Sequence, residues 1–262
     1  SAPRVEELTK DFDTGRKVAF VVNSYEQVDI FKEHLKRRYP ALGDKTIGVT
    51  RKVPQNAGTD WVVASQVEHI GGRDDWEAII FPMKSLSRGV NIVYPSGPNR
   101  NNAVIGTIVF LTRPHPASDN LDLVTGVVGR GTLDLEQRKI ASRGGIPALR
   151  KAWNDERYST MASVRRLLRF PIVASMLGPY MKPFTADVMI DVLQTIGRGM
   201  RNGKKVRVYF ADAAWAPHSF AGSAKHDTQY SSMLIAMREI LRERTSDADP
   251  VRKEVYKALY DP

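Results

Sequence analysis

Short, nearly unbroken apolar runs alternate with stretches of helical periodicity along most of the chain. The runs at residues 17–22, 46–50, 61–65, 77–81, 106–111 and 206–211 are of strand length and rich in Val, Ile and Phe. Their near-continuous hydrophobicity, without polar alternation, predicts strands buried on both faces, as in a parallel sheet flanked by helices. Ser24 stands as a cap before an amphipathic helix over residues 25–38. Between residues 116 and 183 the character changes to helical spacing at 133–142, 146–153 and 159–168, which predicts an inserted helical subdomain. Thr185 reads as the cap of a further helix that runs to about residue 199, followed by a turn at Asn202-Gly203 and the last strand. The expected organisation is an α/β domain over residues 1–115 and 184–245, a helical insertion over 116–183, and a tail or docked helix over 246–262.

The chain has 262 residues, 42% hydrophobic and 26% charged, enough to bury a sizeable core. No run of about 18 apolar residues and no charged-then-apolar leader is present, so neither a membrane span nor a secretory signal is expected, and a cytoplasmic location is. The opening Ser1-Ala2-Pro3 without methionine reads as an added leader scar or an internal cut in place of a natural start, which is compatible with a fragment. Cysteine is absent and the five histidines are scattered, which predicts no structural metal. A net charge of +10 makes a polyanion a plausible partner, although nucleic acid, nucleotide and mere solubility all fit it.

Residues 194–201, QTIGRGMR, carry the most chemistry. Arg198 and Arg201 stand three apart, a spacing that puts both on one helix face, and guanidinium is the fork suited to charge on a transferring phosphoryl group. An arginine finger and an exposed basic helix end are both compatible with this segment. Arg165, Arg166 and Arg169 in the insertion fit a nucleic-acid path or a solvated face. No phosphate-binding loop accompanies them: Gly43-Asp44-Lys45-Thr46 lacks the adjacent Gly-Lys, and Gly126 to Gly131 has the wrong spacing for a dinucleotide loop. Asp74 and Asp75 precede their strand and read as a surface turn, and Asp212, Trp215 and His218 as a packed loop. No segment of the sequence holds magnesium and ATP unaided.

Three segments, in order, resemble signature motifs of the second RecA-like domain of superfamily-two helicases and translocases. VAFVVNSY at residues 18–25 resembles motif four. IIFPMKSLSRGVN at 79–91 resembles motif five, its Gly89-Val90-Asn91 ending being similar to the Ski2-like branch, and residues 194–201 fit the Q-x-x-G-R-x-x-R of motif six. The resemblance covers residues 15–115 and 187–215; Met83 and Asn91 depart from what many relatives carry. It implies a RecA-like sheet in which Arg198 and Arg201 face the triphosphate of ATP, Gln194 positions motif six, and Gly197 allows close approach. Arg88, Gly89 and Asn91 would lie with Ser85 in a loop coupling nucleotide to nucleic acid. Asn23, Ser24, Tyr25, Thr50 and Arg51, at strand ends, are candidates for the backbone of DNA or RNA. The implied activity is that of a helicase C-terminal half, with ATP and Mg2+ held mainly by an absent N-terminal RecA-like half. A degenerate, non-catalytic nucleic-acid-binding or scaffold domain is the second reading, and a free-standing nucleotide-binding enzyme the third.

Overall fold

All six apolar runs form strands, and they pair side by side into one parallel sheet. A computed structural model describes residues 15–53, 58–86, 90–114, 129, 132, 133, 135, 136, 140–169, 181–222 and 224–260. The strands are β1 (Lys17–Val22), β2 (Thr46–Thr50), β3 (Trp61–Val63), β4 (Ala78–Pro82), β5 (Ile105–Phe110) and β6 (Arg207–Phe210), ordered β3-β2-β4-β1-β5-β6. Every pairing is parallel; Phe20 on β1 sits opposite Ile80 on β4 and Val109 on β5. The three central strands β4, β1 and β5 are buried almost throughout, whereas edge strand β6 is half-exposed. This is the α/β, all-parallel architecture expected from unbroken apolar runs, and it is consistent with a RecA-like arrangement.

Helix α1 (Tyr25–Arg38) begins where the sequence places its cap: the Ser24 hydroxyl accepts the Gln27 N–H at 3.2 Å. The Gln27 side chain returns the interaction by accepting the Asn23 N–H at 2.8 Å. Val28 and Leu35 of this helix pack with Val18, Phe20, Val22, Ala78, Ile80 and Val109 in one core, and Phe31 meets Phe20 edge-on at 5.2 Å. At the far side of the sheet Trp215 is 1% exposed and lies 4.7 Å from Phe210 and 6.0 Å from Phe110. Asp212 accepts the N–H groups of Arg113 and Ala214, both at 2.8 Å, so the segment after β6 is a packed loop, as its sequence suggests.

The acidic turn before β4 is a surface feature as well. Asp75 pairs with Arg73 at 2.7 Å, and Glu77 with Lys45 at 2.6 Å.

Three features differ from the sequence expectation. Helix α3 (Met181–Gly199), preceded in the chain by α2 (Ile140–Arg169), starts before Thr185, which lies fully buried inside it. The apolar stripe sets that start: Met181, Phe184, Val188, Val192 and Thr195 recur at spacings of three and four and are all buried. In α2 the segments 146–153 and 159–168 are one continuous helix, and the break falls at Gly145, whose φ of 69° only glycine adopts readily.

The third difference concerns the division of the chain. It splits into one unit of Ser1–Pro114 with Thr185–His226, which holds the sheet, and a second of His115–Phe184 with Asp227–Pro262. Residues 227–245 therefore group with the helical insertion instead of the sheet domain. Within that second unit, α4 (Met233–Arg244) buries Met233, Ala236, Met237, Ile240 and Leu241, and its Glu243 pairs with Lys182. The terminal segment is a helix, α5 (Pro250–Tyr260), and Arg238 of α4 stands 5.8 Å from the Tyr260 ring. Among the described residues no helix is long and apolar enough to cross a membrane.

Candidate functional site

Because every strand runs the same way, residues that follow strands collect at one edge of the sheet and residues that precede strands at the other. Asn23, Ser24 and Tyr25 follow β1, Thr50 and Arg51 close β2, and Ser85 follows β4. These six belong to the C-terminal edge, where open parallel sheets offer crevices to ligands. The Arg51 guanidinium lies 5.0 Å from the centre of the Tyr25 ring, so two of the candidates meet directly. Asn23 donates from Nδ2 to the Arg113 carbonyl at 2.9 Å, which ties the turn after β1 to the end of β5. Ser85 already donates its hydroxyl to the Pro82 carbonyl at 2.7 Å, and Thr50 donates to Lys52 O at 3.1 Å. Their hydroxyl hydrogens serve the loop itself. Arg51 and Tyr25 are left as the chemically distinctive pair of this edge.

The opposite edge holds the arginine segment. Lys17 N–H donates to Val104 O at 2.8 Å and Val104 N–H to Ile92 O at 3.0 Å, so residues 91–104 lie beside the start of β1 and β5. There Arg201 Nε donates to Asn91 Oδ1 at 3.0 Å, across 110 residues of chain. Asn91 is itself held from below, its N–H donating to Glu68 Oε1 at 2.7 Å. With Nε occupied by the amide, the two terminal nitrogens at the end of the Arg201 fork meet no acceptor among the described residues. The strands between the two edges are up to six residues long, about 20 Å. The candidates thus divide into two groups at opposite ends of the strands and do not form one cluster.

Arg198 and Arg201 do not share a helix face, which corrects the expectation from their spacing. α3 ends at Gly199, and Arg201 opens a separate short turn, Arg201–Gly203. The end of α3 is closely packed: a Cβ on Gly199 would stand 2.4 Å from Val206 Cγ2 and 2.9 Å from Val206 Cβ. Asn202 then takes the left-handed conformation, φ 57°, and donates from its side chain to Asn102 Oδ1 at 2.7 Å, turning the chain into β6. As a result Arg198 is half-buried and Arg201 is exposed. Burial pulls the Arg198 guanidinium below the usual arginine range, against the opposing charge of Asp191. Its Nη1 is buried and meets no hydrogen-bond acceptor among the described residues. A desolvated donor of that kind is a structural cost, and groups so placed concentrate at functional sites.

Gln194 and Gly197 are exposed along α3. Nothing lies within 4 Å of a Cβ on Gly197, so of the two glycines in this segment it is Gly199 that close packing requires. Arg88 and Gly89 lie outside the described residues, as do the side chains of Arg166 and Arg169; Arg165 is exposed on α2. Sequence reasoning passed over Arg16, Glu68 and Asn102, which hold the arginine segment. No motif flags them, because each acts on backbone or amide groups distant in sequence.

No family model, no curated protein and no solved structure matches this chain.

Proposed function

We propose that this chain is the C-terminal RecA-like half of an ATP-dependent DNA or RNA helicase or translocase, completing a site whose ATP and Mg2+ are held mainly by an N-terminal RecA-like half. The observation that carries the reading is the bond from Arg201 Nε to Asn91 Oδ1, which joins the segments resembling motifs five and six. Such a bond fixes the plane of the fork and presents its two terminal nitrogens together, the geometry suited to a phosphate. Arg198 adds a half-buried guanidinium whose Nη1 meets no acceptor among the described residues. Both fit the demands of a γ-phosphate whose charge grows during transfer. ATP brings the scissile phosphoanhydride; the phosphate-binding loop and the positioned water belong to the other half. Arg198 and Arg201 bind and neutralise, while Asn91 and Glu68 orient.

The two-edged arrangement supports the nucleic-acid part of the reading. Arg51 against Tyr25 combines a cation for phosphate with an aromatic face for a base, at the edge away from the arginines. In fluorescence anisotropy with single-stranded DNA and RNA, affinity is expected to fall at least ~10-fold between 50 and 200 mM salt, with little base preference. Tyr25→Ala is expected to weaken binding by ~1–3 kcal/mol, the worth of one base stack. A salt-insensitive titration, or an unchanged affinity in Tyr25→Ala together with Arg51→Ala, overturns this assignment.

A further inference from the structure

Arg16 stands immediately before β1, is only 6% exposed, and aims its guanidinium at backbone carbonyls of α3, of β5 and of the loop before β6. Nη1 donates to Gly199 O at 3.0 Å and to Ile105 O at 3.2 Å, and Nη2 donates to Lys205 O. Gly199 is the last residue of α3, Ile105 the first of β5, and Lys205 lies between the Arg201 turn and β6. One cation therefore clamps both ends of residues 199–205, the segment that carries Arg201 and directly follows Arg198. The carbonyls at a helix C-terminus lack intrahelical partners and carry partial negative charge, so a buried guanidinium is well matched to this place. Its planar fork spans several acceptors at once, which a single ammonium does not.

We infer that Arg16 is the positioning residue of the arginine turn, holding Arg198 and Arg201 at the placement from which they reach a phosphate. The inference rests on the phosphate-facing role proposed for those two arginines. Arg16 acts through backbone carbonyls and not on the phosphate itself. Its loss leaves the Arg201–Asn91 bond possible but releases the C-terminal turn of α3 and the approach to β6. Since reacting groups misplaced by about an ångström lose large factors in rate, the effect falls on turnover more than on ligand affinity.

The test uses the full parent protein, with nucleic-acid-stimulated ATP turnover, KM for ATP, single-strand affinity and thermal midpoint measured side by side. Arg16→Met is expected to lower kcat by about 10-fold or more, with KM and nucleic-acid affinity within about twofold of the parent. Arg16→Lys, which retains charge and part of the hydrogen bonding, is expected to fold with a midpoint near that of the parent and to recover part of kcat. If Arg16→Met does not fold, the lysine variant decides: reduced kcat at unchanged KM supports positioning, and full kcat overturns it. A loss seen equally in kcat, affinity and midpoint marks Arg16 as structural only and likewise overturns it. Arg198→Ala measured in parallel separates the two levels. If Arg198→Ala keeps full turnover, the function itself is wrong; if it abolishes turnover while Arg16→Met does not, only the positioning role fails.

Discussion

Arg201→Ala in the parent protein is expected to lower ATP turnover by roughly 10³-fold or more while nucleotide binding persists, and Arg198→Ala to do the same. The size follows from where the groups act. A guanidinium that meets charge developing on a phosphoryl group stabilises the transition state more than the bound nucleotide, so its removal falls on kcat. Arg201→Lys is not expected to rescue, because an ammonium cannot bond Asn91 through Nε and still offer two parallel donors outward. The two positions differ in their effect on the fold. Arg201 is exposed and its side chain is held through one hydrogen bond to the Asn91 amide, so stability should change little. Arg198 is half-buried with an unsatisfied Nη1, so Arg198→Met removes a desolvation cost and is expected to hold or raise the thermal midpoint. Activity lost with stability retained is the signature of a group kept for chemistry. Full turnover in either alanine variant, checked by steady-state phosphate release, would end the finger assignment. The isolated chain is expected to show negligible hydrolysis on its own.

The sheet was legible because its signal is local and strong. In a run such as the one at 105–110, Thr107 is the lone polar side chain and the rest offers water nothing on either face, so a buried parallel strand is the economical solution. The cap at Ser24 and the turn at Asn202-Gly203 are local too, set by a side chain within three residues or by tolerance of positive φ. The start of α3 was misread because Thr185 looks like a cap, and only burial along the Met181 stripe shows that the helix is already under way. The placement of α4 with the helical unit depends on which apolar face finds which partner, which periodicity does not specify.

For the candidate site, residue types could be read but their arrangement could not. The spacing of Arg198 and Arg201 suggested a shared face, whereas α3 stops at Gly199, where Val206, just before β6, leaves no room for a side chain. The separation of Tyr25 and Arg51 from Arg198 and Arg201 follows from strand direction alone, yet only after the strand order is known. Arg16 and Glu68 act on a backbone carbonyl 183 residues away and a backbone N–H 23 residues away. Contacts of that separation leave no periodicity and no motif.

The same turn yields a prediction in which two alanines, two residues apart, act in opposite directions on stability. In a helix interior Gly→Ala is favourable by up to ~1 kcal/mol. At Gly197 the added methyl meets nothing within 4 Å, so Gly197→Ala should realise that gain as a raised midpoint. At Gly199 it would collide with Val206 Cγ2 at 2.4 Å and Cβ at 2.9 Å, and it would press on Ile105 O at 3.3 Å. Overpacking of this kind costs ~1–3 kcal/mol, which exceeds the helix gain, so Gly199→Ala should lower the midpoint. Relief requires the end of α3 and the approach to β6 to move apart, and that displaces Arg198 and Arg201 on either side of the contact. A shift of about 1 Å is enough to lose ~10²-fold in turnover. Gly197→Ala, on an exposed face of the same turn, should lose turnover only if that face closes on the nucleotide, and then without loss of stability. Denaturation midpoints and steady-state turnover of the two variants decide the matter. Gly199→Ala with an unshifted midpoint and full activity would show that residues 198–201 tolerate displacement, which a phosphate-directed arginine pair does not.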